Sequence, residues 1–403
     1  MADPEILLSI CVPTFNRQFL LERNVTFHLT EFRRMGIPFE LVLVDDCSTD
    51  ETQAYLASLA SEPEVSAYRR ASNSGFVSNY AFAMRRARGR YAVFLGDDDL
   101  LIPEKVVEYV AMMEADPKLG MIQAPWMLVD AREGGAGEMG PFYRLPEPAR
   151  FAHGDFGGLL RFIFQHHVFP EFLIIRRDVL ALSISSGTPF IFWAYLYTAR
   201  ALDKADVLFL PEPFARVTAM SDDPRLQQGN RECMFQWDTY RGGLELIASQ
   251  VWRMGGPPSD EERAQLMDRI SAFMHIRQSV ALRLLLGSQH WVEAYILYHR
   301  ISAYRPVQID GVNLEFIQNV AGITMAATEA GAYSDQLAIV DPAIPDDLLE
   351  MLPAPALERL TRSLPAPNDP APRAWLRMHP EFGEPMKRTD AAFSVFDYIA
   401  QFI

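Results

Sequence analysis

Two acidic clusters carry the most chemistry in this chain: Asp45-Asp46-Cys47-Ser48-Thr49-Asp50 and Gly96-Asp97-Asp98-Asp99. Each directly follows a short apolar run, Phe39–Val44 and Tyr91–Leu95. A third run, Leu7–Val12, leads into Pro13-Thr14-Phe15-Asn16-Arg17. Carboxylates at strand ends can hold a divalent cation, which prefers oxygen ligands, and can accept hydrogen bonds from a nucleotide's ribose or base. Three successive aspartates can also be a solvated turn ahead of the helix that Pro103 opens. Taken alone, the aspartates favour that turn; beside the other two loops they favour a ligand-binding role, because uncompensated like charges next to a buried strand are costly.

The elements that would position these loops follow from periodicity. The short β-rich runs alternate with helix-patterned stretches at Leu20–Met35, Thr49–Ala60, Phe76–Ala87 and Pro103–Asp116. Thr49 or Asp50 can cap the second of these, and Pro103 suits a first turn. Such alternation predicts an α/β fold, a mostly parallel Rossmann-like sheet flanked by helices. Ligands in such sheets bind beyond the carboxyl ends of the strands, where all three loops converge.

From Pro125 to Asp155 the chain is rich in glycine and proline, a length of loop that is usually functional or mobile. A helix at Phe156–Phe164, a strand at Phe172–Ile175, a hydrophobic helix at Phe190–Leu202 and a last strand at Val207–Leu210 are predicted next. After about residue 235 the pattern turns helical, at Arg263–Leu286, His290–Tyr304, Leu314–Ala330 and the tail Asp390–Ile403. The expected domains are therefore 1–235, α/β, and 236–403, a mainly α-helical accessory domain for acceptor recognition or homo-oligomerisation.

Of 403 residues, 49% are hydrophobic and 22% charged, as in an ordinary globular protein. A net charge of −15 argues against broad binding to nucleic acid. Cys11, Cys47 and Cys233 are too few and too scattered for a disulfide framework or a zinc site. No signal-peptide pattern is evident, and no run reaches the roughly 20 apolar residues that span a bilayer. A cytoplasmic location is expected, with peripheral association at the inner face of a membrane as the variant.

Four motifs in order over the first hundred residues resemble family 2 glycosyltransferases of the GT-A fold. Ser9–Arg17 resembles their opening strand and loop, and Val44–Thr52 their second motif. Asn73-Ser74-Gly75-Phe76 through Ala87-Arg88-Gly89-Arg90-Tyr91 resembles the segment before the metal loop. Phe94–Asp99 stands at the Asp-x-Asp position. The resemblance implies metal-dependent, inverting transfer from a nucleotide-diphosphate sugar, a UDP-sugar first, to a saccharide, lipid-linked or protein acceptor. Bacterial surface polysaccharide biosynthesis is the implied setting. Pro13, Thr14, Phe15, Arg17, Asp45, Asp46, Asn73 and Asp97 would bind the nucleotide; Asp98 and Asp99 would bind Mn²⁺ or Mg²⁺, with Asp98 the best ligand.

The chain departs from the family in three places. Gly96 stands where many members have Asp. Phe192-Trp193 fills the usual place of the catalytic base, so Glu171 and Asp222 are the candidate bases, with Asp223 beside the latter. A late histidine near Val217-Thr218 is absent. His166 and His167 are further acid–base candidates, and the aromatic run Phe190–Tyr197 is either a core helix or the wall of an acceptor pocket. Two rivals remain: a nucleotidyltransferase, disfavoured because the first loop lacks glycines, and a non-catalytic nucleotide-sugar-binding or scaffold protein, favoured by the missing base.

Overall fold

A computed structural model describes residues 6–185, 190–223, 228–307, 313–333, 338–352, 354–362, 374–378 and 391–400. It divides into two compact units, Met1–Met274 and His275–Ile403. The division lies beyond the change of composition at residue 235, because the helix Asp238–Gly255 packs on Trp193–Leu202 and Phe156–His166 in the first unit. The boundary falls inside a long helix, Asp260–Gly287.

The strands of the first unit are β1 (Leu8–Thr14), β2 (Phe39–Asp45), β3 (Val65–Arg69), β4 (Tyr91–Phe94), β5 (Leu100–Leu101), β6 (Leu119–Gln123), β7 (Met127–Asp130), β8 (Gly137–Pro141), β9 (Ala149–Phe151), β10 (Leu173–Arg176), β11 (Asp206–Phe209) and β12 (Ala215–Met220). Its helices are α1 (Gln18–Met35), α2 (Thr52–Ser58), α3 (Phe76–Arg85), α4 (Pro103–Ala115), α5 (Phe156–His166), α6 (Arg177–Ser183), α7 (Trp193–Leu202), α8 (Gln228–Phe235) and α9 (Asp238–Gly255). An eight-stranded sheet runs in the order β3-β2-β1-β4-β10-β6-β11-β9. Six of these strands point one way; β10 and β9 run against their neighbours. The sheet is thus mostly parallel, as the alternation of runs predicts.

Every residue of β1, β2 and β4 is buried, which is why these strands read as continuous apolar runs. Each large apolar side chain removed from water contributes about 1.5–3 kcal/mol. The register Leu8–Tyr91 and Leu8–Phe39 starts β1, β2 and β4 together and in parallel, with Phe94 opposite Cys11 and Asp45 opposite Thr14, so the loops after Thr14, Asp45 and Phe94 leave by one edge.

A smaller sheet, β5-β12-β7-β8, is built from two-to-six-residue strands. Its strand β12 follows β11, so Val207–Leu210 is not the last strand of this unit. The helix expected at Phe190–Leu202 starts at Trp193 and is a core helix. Tyr195 and Tyr197 are fully buried, and the Tyr195 hydroxyl donates to the Val168 carbonyl at 2.8 Å.

The second unit is largely helical, with α11 (Trp291–Ser302) and α12 (Leu314–Tyr333) after the long helix α10 (Asp260–Gly287). Two single turns, α13 (Asp346–Leu349) and α14 (Ala354–Leu357), follow. It also carries a parallel sheet that the sequence did not announce. The strands β13 (Ala338–Val340), β14 (Leu360–Thr361), β15 (Ala374–Arg377) and β16 (Ala391–Ser394) lie in the order β14-β13-β15-β16. The tail is consequently strand β16 and then a short helix, α15 (Val395–Ala400), rather than one helix. Val395 and Ile399 pack with Val320 and Ile323 of α12, so the apolar face of the tail is covered within the chain. Residues 390 and 401–403 lie outside the described residues.

Candidate functional site

The first and fourth motifs are hydrogen-bonded to each other. Thr14 Oγ1 donates to Asp97 Oδ2 at 2.7 Å, and Arg17 Nη1 donates to Asp97 Oδ1 at 2.7 Å. The same guanidinium nitrogen lies 3.1 Å from Asp98 Oδ2. The second loop joins through Asn16, whose backbone N–H donates to Ser48 Oγ at 2.8 Å and whose Oδ1 accepts the Thr49 N–H at 2.7 Å. Asn16 sits at φ 53°, a left-handed conformation that asparagine tolerates. Pro13 is buried inside β1, and Phe15 is 40% exposed at the edge.

Asp45 and Asp46 are adjacent but do different work. Both oxygens of Asp46 are committed: Oδ2 accepts the N–H groups of Ser74 and Gly75 at 3.0 and 2.9 Å, and Oδ1 accepts Ser74 Oγ at 2.7 Å. Asn73 Oδ1 accepts the same Gly75 N–H at 3.0 Å. These two residues shape the turn that starts α3. Asp45 Oδ1 accepts the Ser48 N–H at 2.8 Å, while its buried Oδ2 has no hydrogen bond and only Arg69 Nε at 3.7 Å. A buried acceptor without a donor is costly, and a ligand N–H or hydroxyl would satisfy it.

The acidic loop is fixed from below by α1. Asn24 Nδ2 donates to the carbonyls of Gly96 and Asp99 at 3.0 and 2.8 Å. His28 backs it: its Nε2 accepts the Leu101 N–H at 3.1 Å, which leaves Nδ1 to donate to the Asn24 carbonyl at 2.7 Å. Burial pushes the His28 pKa down to about 4, so the ring is neutral at pH 7.

The aspartates themselves are under-compensated. Burial pushes Asp97 up to about 6, although Arg17 acts in the opposite direction. Asp99 is held well above the usual carboxylate range by burial, then by the charges of Asp98 and Asp97, with Glu171 adding to the rise. Burial and then the charge of Asp98 also raise Glu232, on α8. Glu171 and Glu232 therefore both face this cluster electrostatically. No local pattern in the sequence around α8 singles out Glu232, and it went unrecognised there. The other candidate base, Asp222, accepts the Glu133 N–H at 2.9 Å beyond the smaller sheet, and no interaction of the described residues ties it to the aspartates. Its neighbour Asp223 donates its N–H to Ser221 Oγ at 3.0 Å.

Phe192 and Trp193 are buried where a base would stand. Trp193 packs on Tyr80 and Phe94 at ring distances of 5.0 and 6.0 Å. His167 ends α5 in a left-handed conformation against Phe273, 4.1 Å away, and His166 lies on Phe162.

A divalent cation can be tested against the side chains present. Asp97 has both oxygens occupied, by Thr14 and Arg17. The space above Gly96 is different: a Cβ there would lie 2.7 Å from Asp99 Oδ2 and 3.0 Å from Asp98 Oδ1. Two carboxylate oxygens thus flank a cradle that any side chain would fill, which gives Gly96 a physical reason. Among the described residues no group of three or more His, Cys, Asp or Glu could hold a metal ion. Two carboxylates suffice for Mg²⁺ or Mn²⁺ when a diphosphate and water complete the shell, so Asp98 and Asp99 fit that role.

Residues 9–179 match the family described as glycosyl transferase family 2. An uncharacterized glycosyltransferase of Haemophilus influenzae is 32% identical over 126 residues, 30% of this chain and 38% of that protein. The poly(ribitol-phosphate) beta-N-acetylglucosaminyltransferase TarS of Staphylococcus aureus is 28% identical over 110 residues, 26% of this chain and 18% of that one. A GalNAc(5)-diNAcBac-PP-undecaprenol beta-1,3-glucosyltransferase of Campylobacter jejuni is 33% identical over 98 residues, 24% and 30% of the two chains. The match thus spans less than two fifths of the length of each relative. The crystal structure of S. aureus TarS 1–349 aligns at 17% identity with a TM-score of 0.45, over 86% of this chain and 83% of that one. The four motifs and the loops that join at one sheet edge all lie within residues 9–179, the stretch that is similar to glycosyl transferase family 2.

Proposed function

We propose that this protein transfers a sugar from a nucleotide-diphosphate sugar to a glycan, lipid-linked or protein acceptor, in metal-dependent fashion and with inversion. The observation that carries the reading is the bonded union of motifs, Thr14 and Arg17 on Asp97, beside an unsatisfied Asp45 oxygen. Asp45 Oδ2 suits the N3–H of uracil, which favours a UDP-sugar. Thr14, Phe15 and Asp97 would line the nucleoside.

Asp98 and Asp99 would hold Mn²⁺ or Mg²⁺, which when bound acts as a Lewis acid on the leaving diphosphate. Arg17 sits where its guanidinium can also meet a phosphate. Glu171, whose charge reaches Asp99, is the base we assign to the acceptor hydroxyl proton. The acceptor oxygen then attacks the anomeric carbon from the face opposite the diphosphate. Two relatives carry the names of beta-transferases, the stereochemistry expected when an α-linked donor is inverted. Their printed acceptors, a polyol-phosphate polymer and an undecaprenol-linked glycan, support our assignment of the reaction to bacterial surface glycan synthesis, at the cytoplasmic face of a membrane. No helix of the described residues is long and apolar enough to cross one.

The test is a thermal-shift and transfer screen of UDP-, GDP- and dTDP-sugars with and without Mn²⁺. Ligands that bind only the native state raise its melting temperature. A metal-dependent shift with UDP-sugars, together with release of UDP, supports the reading. No shift with any donor moves the protein to the non-catalytic alternative.

A further inference from the structure

Arg17 occupies the position of a cation before any ligand arrives. Its Nη1 lies 2.7 Å from Asp97 Oδ1 and 3.1 Å from Asp98 Oδ2, with the side chain 15% exposed. Among the described residues, Arg17 is the cation in salt-bridge contact with Asp97 and Asp98. A divalent cation entering beside Asp98 meets a guanidinium already on that carboxylate. Two cations cannot share it without mutual repulsion.

We propose that Arg17 is a positioning residue that couples metal binding to donor binding: it holds Asp98 until a diphosphate arrives, then moves to the diphosphate and releases Asp98 to the metal. This rests on the glycosyltransferase reading of the site. A guanidinium pairs with phosphate in the same fork geometry it uses for carboxylate, so the exchange conserves its bonding. The backbone on both sides of this pair is held in place. Asn24 pins the Gly96 and Asp99 carbonyls, and the Arg17 carbonyl accepts the N–H groups of Leu20 and Leu21, both at 3.1 Å. Thr14 keeps hold of Asp97 Oδ2 after Arg17 departs.

Coupling of this kind is reciprocal: the donor tightens the metal by the factor with which the metal tightens the donor. It is measured on the full chain by Mn²⁺ electron paramagnetic resonance and calorimetry, with Mn²⁺ alone and with saturating UDP or GDP. For the wild type, the nucleotide should raise Mn²⁺ affinity by about tenfold or more, within the usual span of such couplings. Arg17→Met should bind Mn²⁺ alone more tightly, about tenfold, and show a coupling smaller by a similar factor. Arg17→Gln keeps a donor for Asp97 Oδ1 without the charge; it should behave alike and covers the case in which the methionine variant fails to melt cooperatively. A folded charge-free variant that binds Mn²⁺ alone no more tightly than wild type overturns the inference and leaves the metal reading standing. A wild type that binds no Mn²⁺ with either nucleotide overturns the metal reading, and this inference with it.

Discussion

The two ends of strands β1 and β2 bury carboxylates in opposite ways. At the amino edge Glu40 is 1% exposed, and every contact matches its charge. It accepts Ser9 Oγ at 2.6 Å, the Arg88 N–H at 2.7 Å and Arg88 Nε at 2.9 Å. Ser9 Oγ in turn accepts the Gly89 N–H at 2.8 Å, and a Cβ on Gly89 would come within 2.7 Å of the Ser9 nitrogen. At the carboxyl edge Asp97, Asp98 and Asp99 share Arg17, and Asp45 keeps an oxygen with no hydrogen bond and Arg69 Nε at 3.7 Å. A buried carboxylate with its donors in place holds the fold. One left short of donors has affinity to spare for a ligand.

The largest expected effect tests the second half of that contrast. Asp98→Ala should lower transfer by about 10³-fold, the scale of losing a charge-stabilising group, with the melting temperature unchanged or raised. An unaltered rate would remove Asp98 from the chemistry. Glu171→Gln should cost about 10²–10⁴-fold in kcat, the contribution of a general base, while the UDP-induced thermal shift stays. Loss of the thermal shift as well would make Glu171 a binding residue instead. The reverse pattern belongs to the amino edge. Glu40→Gln should lose about 2–3 kcal/mol in urea unfolding, because buried donors go unmet, and leave the rate per folded molecule alone.

A pH experiment separates scaffold from site within the carboxyl edge. His28 titrates at about 4 when folded and near 6.5 when unfolded. The unfolded chain therefore binds its proton first, so this stabilising contribution is complete above pH 6.5 and declines as the pH falls towards 4. Up to about 3 kcal/mol is at stake. The stability difference between wild type and His28→Gln should shrink between pH 7 and pH 5; a constant difference would mean the histidine is not the titrating group. The smallest effect concerns Cys47, at φ 67°. Cys47→Gly relieves left-handed strain but loosens the unfolded chain, for a net gain under about 1 kcal/mol with transfer unchanged. Destabilisation would show that the thiol's contact with the Ala71 carbonyl, 3.7 Å away, outweighs the strain.

These contrasts also mark what the residues disclosed before the fold was seen. Fully buried strands ending in Asp45 and Phe94 left an uninterrupted apolar signal, so the sheet edge and its loops were legible. The absence of a carboxylate at Phe192-Trp193 was legible too. Sequence did not separate Asp45 from Asp46, because what distinguishes them is a turn at Ser74 and Gly75, twenty-eight residues and more away. The smaller sheet escaped because β12 pairs with β5 and β7 across long intervals, and strands of two to six residues carry little periodicity. The strands β13 to β16, of two to four residues, escaped for the same reason. Glu232 reaches the aspartates only through tertiary structure.

Asn24 has one more consequence. By donating to both the Gly96 and Asp99 carbonyls, its amide commits two main-chain oxygens of the acidic loop to α1. An ion bound at that loop, as proposed above, would find carboxylates and whatever its co-substrate brings, with those two peptide oxygens already engaged. Calcium, which takes six to eight oxygen ligands, is poorly served by so sparse a shell, whereas a six-coordinate ion that retains its own water is not. On the metal reading proposed above, the choice among cations would then depend on a helix, through an amide that does not touch the ion.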